Sequence, residues 1–387
     1  MPQTLDAERT SSERAQELIA AARALGPEFE AAARQAETER KLPLELVAKM
    51  REARLFWMKS PLELGGSELD PLDFCDVVEE IAYHDASAAW ATMIGNGTTG
   101  TIAGWVPEEG IREIFGSEQL PIFAGQYVPR GKAVPVEGGY RVTGRWTFCS
   151  GIPHADWVVG GARVEGSSEI LLITAPKSAA TVYDTWFVAG LQGTGSNDFS
   201  LEDEFVPAHR TMRLVGETPK RGGALYQQPQ LVFLSNELPP IAVGIARRAL
   251  DDMLTMAKGT ARQIGGASLA DRAAFQKTIG RVEAKWRSAR LLYRDAVAQS
   301  WDLMRAGLDI DDELSAAFKA RHTFVVETCT EVVAEVFRYG GGRVLSLDNP
   351  MQRHYRNLIA ATQHVYLTEE NFELAGKATL EHLSPEL

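Results

Sequence analysis

The feature of the sequence that most constrains its fold is the segment 139–151, in which apolar and polar residues alternate before a group of small residues. Such alternation is typical of a half-buried β-strand, and here it predicts a β-hairpin that runs into a strand. The apolar positions are Tyr140, Val142, Trp146 and Phe148. Three small residues then follow, and they allow backbone and a hydroxyl group to come close to a flat ligand: Cys149, Ser150 and Gly151. The segment therefore predicts a sheet whose end lines a binding site.

The composition of the chain argues against several classes of protein. Its 387 residues, 45% of them hydrophobic, are enough for a large core and for two or three domains. The net charge of -12 and the lack of a basic stripe argue against nucleic-acid binding. No apolar run reaches the roughly 18–20 residues of a membrane span. Three widely spaced cysteines fit a reducing compartment and form no zinc motif, so we expect a cytoplasmic protein without a metal ion.

Three zones of composition divide the chain, and they predict an α+β fold of three domains. Residues 1–118 show helical spacing of apolar side chains, with a nearly uncharged and therefore buried helix up to Trp105. Residues 119–222 contain short alternating runs between turns, which predict an antiparallel β domain of barrel or sandwich type. Residues 223–387 predict a bundle of four long helices. The expected bundle helices cover residues 240–262, 270–305, 311–338 and 350–380.

This order of domains, helical, β and helical again, resembles the acyl-CoA dehydrogenase fold. Three segments carry the resemblance: 144–151, 184–198 and 351–364. The second is similar to the turn of the β domain of the whole superfamily. The first and the third are similar to the flavin-facing strand and to the final-helix motif of one branch, the flavin-dependent monooxygenases. In the second segment Trp186 and Phe187 are adjacent, and we expect Trp186 to face inward because only one of two neighbouring strand residues can do so.

The chain departs from the acyl-CoA dehydrogenases at the position of their catalytic carboxylate. Those enzymes use a carboxylate base to remove the α-proton of a thioester. No Glu or Asp lies in the range 358–366, where the commonest placement of the base falls, and none lies in the range 253–262. Asp251 and Asp252 come just before the second range. An acyl-CoA dehydrogenase or oxidase activity therefore stays an alternative, as does a non-catalytic helical scaffold.

The resemblance implies a two-component monooxygenase. Reduced flavin would arrive from a separate NAD(P)H-dependent flavin reductase and react with O2. As a C4a-(hydro)peroxyflavin it would transfer one oxygen atom to an aromatic, polyketide-like or amine substrate. The resemblance favours reduced FMN over FAD as the cofactor and implies a homotetramer. Such chemistry requires a dry pocket, a hydrogen bond at the flavin edge and a titratable group beside the reacting oxygen.

The resemblance also assigns these roles to residues. His364 is the expected acid–base group, because an imidazole exchanges protons near neutral pH, and Ser150 is the expected hydrogen-bonding partner of the flavin edge. Trp90 and Asn96, on the uncharged helix, are expected to line the substrate pocket together with His364. The other cofactor-binding residues are expected to hold the flavin ring or to meet its phosphate: Trp146, Phe148, Cys149, Gly151, Arg262, Gln276, Gly340 and Gly341.

Overall fold

The computed structural model of the chain describes residues 11–117, 119–228, 233, 237–259 and 268–382. Within these ranges, six α-helices precede a single seven-stranded sheet and five follow it. The helices are α1 (Glu13–Ala24), α2 (Gly26–Glu39), α3 (Leu44–Glu52), α4 (Pro71–His84), α5 (Ala86–Trp105), α6 (Glu108–Phe115), α7 (Pro239–Gly259), α8 (Ala273–Arg305), α9 (Asp312–Phe337), α10 (Pro350–Ala361) and α11 (Glu370–His382). The strands are β1 (Phe123–Val136), β2 (Gly139–Trp146), β3 (Trp157–Val164), β4 (Ile170–Pro176), β5 (Thr181–Tyr183), β6 (Asp198–Pro207) and β7 (Thr211–Arg213). The predicted α+β class, with a sheet between two helical parts, is confirmed.

Side-chain caps explain where several of the first helices begin. Asp85 accepts a hydrogen bond from the Ala88 N–H at 2.7 Å at the start of α5, and Ser12 and Asp70 cap α1 and α4 in the same way. Helix α5 carries no charged side chain and is buried along almost its whole length, as its sequence predicts. It packs against α4 on one side and β1 on the other, so it separates the helical part from the sheet. None of the described helices is long and apolar enough to cross a membrane.

The sheet has the strand order β5-β6-β2-β1-β3-β4-β7, and its pairs are antiparallel except for β1 with β3. The prediction of an antiparallel domain was wrong for this pair. After β2 the chain crosses through residues 147–156 to the other side of β1, so β3 runs in the direction of β1. The hairpin turn also lies earlier than the segment 139–151. It is formed at Gly138, whose φ of 78° suits glycine, and β2 is one strand that ends at Trp146.

The C-terminal helices confirm three of the predicted bundle helices and correct the fourth. Helices α7, α8 and α9 pack against one another and share their core with the N-terminal helices. The helix predicted over 350–380 is interrupted between Ala361 and Glu370. In this break Thr362 Oγ1 donates to Ile359 O at 2.7 Å, and such side-chain bonds to the backbone compete with the helical hydrogen bonds. His364 consequently lies on a turn and not on a helix.

Candidate active site

Ser150 is joined to the helical part of the molecule by a row of buried hydrogen bonds. Trp90 Nε1, on α5, donates to Ser150 Oγ at 3.1 Å, and Ser150 Oγ lies 2.8 Å from Ser196 Oγ. Ser196 Oγ is 2.7 Å from Thr194 Oγ1, which donates to Leu191 O at 2.8 Å. The four side chains in this row are at most 7% exposed. The end of the predicted strand segment therefore meets the predicted pocket helix.

His364 reaches the same place from the turn between α10 and α11. Its ring centroid lies 5.6 Å from that of Trp90, in an edge-to-face arrangement, and 5.4 Å from that of Tyr366. The Tyr366 N–H donates to His364 Nδ1 at 3.4 Å, which places the proton of the neutral ring on Nε2. Burial lowers the pKa of His364 from 6.5 to about 4, so the ring is neutral at neutral pH, and the expectation that it titrates near neutral pH was wrong. The structure thus brings together three of the predicted residues, with Trp90 between Ser150 and His364.

The backbone turns sharply between β2 and Ser150. Phe148 has a left-handed φ of 61°, and its aromatic side chain is 64% exposed. This conformation is unfavourable for a residue with a Cβ atom. Beside it, Thr147 Oγ1 is buried without a hydrogen-bond partner among the described groups, and Gly151 has a φ of 82°. An exposed ring, an unpaired hydroxyl and a glycine therefore stand together at the end of the strand.

These residues fit the flat isoalloxazine ring that the resemblance implies. The ring offers an aromatic face to Phe148, and its nitrogen and carbonyl groups offer hydrogen-bond partners to Thr147 Oγ1 and Ser150 Oγ. The backbone contributes less than predicted, because the N–H groups of Cys149, Ser150 and Gly151 already donate to Asn197 O, Phe148 O and Thr194 O. At residues 149–151 the Ser150 hydroxyl, and not the backbone N–H groups, is therefore what remains for a cofactor.

Trp146 and Cys149 are core residues, and this corrects the prediction that Trp146 and the backbone of Cys149 contact the cofactor. Both side chains are 0% exposed. Trp146 Nε1 donates to Gly161 O at 2.9 Å, and its ring stacks on Phe199 at 4.9 Å. Trp146 follows Val142 by an even number of strand positions, so both point to the same, buried face of the sheet. The indole fills a space that a Cβ atom at Gly144 would enter, at 2.8 Å.

Asn96 is also engaged elsewhere. Its Oδ1 accepts from the backbone N–H groups of Met58 and Lys59, and its Nδ2 donates to the carbonyls of Leu55 and Thr92. The side chain is 0% exposed. All of the hydrogen-bonding capacity of an amide is used in these four bonds. Asn96 therefore fastens the chain at 55–59 to α5, and it has no bond left for a substrate.

The residues predicted to meet the flavin phosphate lie at one end of the bundle. Gln276, in the first turn of α8, donates from Nε2 to Ala270 O at 3.0 Å. Gly340 and Gly341 follow α9, and the neighbouring Tyr339 OH is 2.9 Å from Thr278 Oγ1 on α8. Gly340 and Gly341 are thereby held close to the start of α8. Arg262 lies outside the described residues, and the role of this group in phosphate binding stays a prediction.

The two carboxylates left open as a thioester base are held in ion pairs on α7. Asp252 Oδ2 lies 2.9 Å from His354 Nε2, and its Oδ1 accepts from Arg248 Nε at 2.9 Å. Burial acts to raise the pKa of Asp252, but the bond from His354 and the nearby charges outweigh it and lower the pKa. Asp251 accepts from Arg247 at 2.7 Å. Asp252 is therefore held as an anion, Asp251 is paired with Arg247, and His354 is a hydrogen-bond partner of Asp252 inside the bundle.

A buried ion pair near the site was missed by the sequence analysis. Lys59 Nζ donates to Glu237 and to the backbone carbonyl of Phe233, and the Lys59 and Glu237 side chains are 5% and 6% exposed. Burial and then the Glu237 charge raise the pKa of Tyr366, and both also raise the pKa of Tyr127. These polar groups are therefore electrostatic neighbours. The one signal in the sequence is that Lys59 ends the apolar run 55–58.

Buried histidines give the protein a pH-dependent stability. Burial lowers the pKa of His154 to about 3, with a further contribution from the Arg51 and Lys177 charges, and burial lowers the pKa of His322 to about 4. Below the ordinary pKa of 6.5 the unfolded chain binds protons that the folded protein cannot, so stability falls as the pH falls. We expect each imidazole to cost about 2 kcal/mol of unfolding free energy between pH 7.5 and 5.

Urea unfolding of the wild type and of His154→Gln at several pH values checks this expectation. The glutamine carries no titrating proton, so the stability deficit of the variant should shrink by about 2 kcal/mol at pH 5. The same comparison with His322→Gln should show the same direction. A deficit that stays constant from pH 7.5 to 5 would contradict the assignment of these rings as neutral.

Both helical parts of the chain match domains of one known protein family. Residues 12–113 match the acyl-CoA dehydrogenase N-terminal domain, and residues 238–369 match the acyl-CoA dehydrogenase C-terminal domain. The matched ranges contain Trp90 and His364, so these two residues of the candidate site lie in segments that match the family.

Several known proteins of similar sequence are named monooxygenases. Indole-3-acetate monooxygenase of Pseudomonas putida is 31% identical over 369 residues, which cover 92% of this chain and 94% of that protein. HsaA of Mycobacterium tuberculosis, a flavin-dependent monooxygenase oxygenase subunit, is 28% identical over 367 residues, covering 90% of this chain and 91% of that one. The structure of XiaF from Streptomyces sp., in complex with FADH2 and glycerol, superposes with a TM-score of 0.89 at 24% identity and covers 97% of both chains.

Proposed function

This chain belongs to the flavin-dependent monooxygenases that share the acyl-CoA dehydrogenase fold, and we propose that it is an oxygenase component that hydroxylates an aromatic small molecule at the site of Ser150, Trp90 and His364. The observation that carries the assignment to this site is the position of Trp90, which bonds to Ser150 and packs against His364. Trp90 thereby contacts both the small residues at the end of the sheet segment and the His364 imidazole. No Asp or Glu stands in the range 358–366 beside that imidazole, so the site is suited to oxygen transfer and not to thioester desaturation.

Ser150 and its neighbours are the proposed holders of the flavin ring. When bound, a reduced flavin supplies the electrons that activate O2. Phe148 is proposed to cover the ring, Ser150 Oγ to bond to its edge and Thr147 Oγ1 to pair with one of its polar groups. The phosphate is assigned to the end of the bundle that carries Gln276 and Gly340, together with Arg262. FMN is the flavin proposed, and FAD is the direct competitor in the test below.

Aromatic side chains around His364 support an aromatic substrate. The Trp90 and Tyr366 rings lie within 5.6 Å of the His364 ring, measured between centroids, and such walls favour stacking with a flat substrate. His364 holds a proton at Nε2, set by the Tyr366 N–H donor at Nδ1. We assign to it the exchange of a proton with the substrate or with the reacting oxygen.

A partner protein and an oligomeric state are also proposed, and both follow from membership of this family. An oxygenase component needs a separate reductase that supplies reduced flavin, and we propose such a partner in the cytoplasm. A homotetramer through the bundle is also proposed. Of the apolar side chains on α8 and α9, Leu291 and Phe324 remain 55% and 50% exposed, whereas Val297, Val325 and Val332 are 0% exposed and belong to the core of the protomer. Leu291 and Phe324 are the side chains that such an interface would cover.

Anaerobic titration with reduced FMN, and separately with reduced FAD, tests the function. We expect saturable binding of the reduced flavin. Admission of isotopically labelled O2 in the presence of indole-3-acetate, the compound in the name of the Pseudomonas putida relative, should give a product that contains one labelled oxygen atom. When O2 is admitted to the reduced-flavin complex without substrate, the product should be hydrogen peroxide instead. Failure to bind either reduced flavin, or flavin reduction by an acyl-CoA, would overturn the proposal.

A further inference from the structure

The hydroxyl groups next to Ser150 have a fixed direction, which follows from counting their protons. Thr194 Oγ1 lies 2.8 Å from Leu191 O. A carbonyl oxygen only accepts, so the single proton of Thr194 must point to it. In its 2.7 Å contact with Ser196 Oγ, Thr194 Oγ1 therefore has no proton to donate and can only accept. The proton of Ser196 must therefore point to Thr194.

The same count of protons determines the atom to which the Ser150 hydroxyl donates its hydrogen bond. Because the Ser196 proton is used toward Thr194, Ser150 is the donor in the 2.8 Å contact between the two serines. Trp90 Nε1 is only a donor, and it fills one acceptor position of Ser150 Oγ at 3.1 Å. The remaining capacity of Ser150 Oγ is one lone pair. Towards a ligand, this hydroxyl can accept a hydrogen bond but cannot donate one.

Burial holds the row of hydroxyls in this direction. Thr194 and Ser196 are 1% and 3% exposed, so bulk water does not offer alternative partners. If every hydroxyl in the row donated in the opposite direction, the Thr194 proton would turn away from Leu191 O. Thr194 Oγ1 and Leu191 O would then face each other with lone pairs at 2.8 Å. Such an arrangement is unfavourable in a buried site, where the electrostatic energy is not screened.

We propose that this directed row of hydroxyls makes the site select reduced over oxidised flavin, an inference that rests on the proposed function. The N5 atom of a reduced isoalloxazine carries a proton and donates a hydrogen bond. The N5 atom of the oxidised ring carries a lone pair and needs a donor. Ser150, fixed as an acceptor, matches the reduced form and opposes the oxidised one. Ser196 and Thr194 are positioning residues that act through Ser150, and they favour uptake of fresh reduced flavin and release of spent oxidised flavin.

The test compares dissociation constants for reduced and oxidised flavin in two matched variants. Thr194→Val removes the hydroxyl and keeps the shape, whereas Thr194→Ser keeps the hydroxyl. Leu191 O still accepts from the Thr194 N–H and from Trp186 Nε1, so the valine leaves no carbonyl unpaired. In Thr194→Val the Ser196 proton is free to turn to Ser150, whose own proton can then reach the flavin. We expect the preference for reduced flavin to fall about tenfold, and to stay at the wild-type value in Thr194→Ser.

Two further outcomes keep this inference distinct from the proposed function. Wild-type protein that binds neither form of flavin would refute the function itself. Wild-type protein that binds flavin while Thr194→Val keeps the wild-type ratio, or while both variants shift it equally, would refute the inference alone. If Thr194→Val does not fold, Ser196→Ala removes the acceptor of the Ser150 proton and should lower the same ratio. The midpoint potential of the bound flavin should fall in parallel, because weaker preference for the reduced form lowers it.

Discussion

Replacement of His364 by alanine is expected to leave flavin binding intact and to lower the yield of hydroxylated product by about 10²–10⁴-fold, the usual contribution of a positioned acid–base group. The ring lies beyond Trp90 from Ser150, so its removal leaves the hydroxyls at the proposed flavin edge unchanged. Oxygen should still be consumed, but it should appear as hydrogen peroxide. The measurement is the ratio of product to oxygen consumed, with reduced flavin supplied by an independent reductase.

Val365→Ala is the matched control for this experiment. Val365 is the next residue in the same turn, and its side chain is 75% exposed, so its truncation should keep the wild-type ratio of product to oxygen. His364→Gln adds a second comparison, because an amide can form hydrogen bonds but cannot transfer a proton. It should behave like the alanine variant. Full product yield in both His364 variants would remove this residue from the mechanism.

Most of the helices could be predicted from the sequence because their signals are local. Asp85 and Ser12 cap their helices through bonds to residues three positions ahead, and apolar spacing predicts the buried face. The parallel pairing of β1 with β3 depends on which edge of β1 the chain reaches after residues 147–156, and no spacing within a strand encodes that choice. The end of α10 escaped prediction for another reason, since Thr362 and His364 interrupt the helix without Gly or Pro.

The residues that meet at the candidate site could be predicted where they lie in a segment that resembles the family. Ser150, Trp90 and His364 meet as the resemblance implies. Trp146 was misassigned because the alternation shows which residues share a face but not which face is the core. Asn96 was misassigned because its partners at 55–59 lie 37–41 positions away in the chain. Lys59 and Glu237 are 178 positions apart, so no motif could have joined them.

Replacement of Lys59 by methionine is expected to destabilise the protein by about 3–5 kcal/mol, because it leaves the Glu237 carboxylate buried without its partner. The Lys59 ammonium lies 3.7 Å from the centroid of the Phe233 ring and is enclosed with Phe74 and Cys75 in one apolar cavity. Burial raises the pKa of Glu237 even with Lys59 present. Without the lysine, the carboxyl should take up a proton in the folded state. Urea unfolding measures the loss, and the loss should be smaller at pH 5 than at pH 8.

The double variant Lys59→Met with Glu237→Leu decides whether the ion pair itself or the lone charge is responsible. Removal of both charges should recover most of the loss, since apolar replacements of a buried pair are often neutral or stabilising. Lys132→Met is the control: this lysine pairs with Glu165 at 2.6 Å on the surface, with side chains 60% and 50% exposed, and its loss should cost at most about 1 kcal/mol. A double variant as unstable as Lys59→Met alone would show that the lone Glu237 carboxylate is not the cause of the loss.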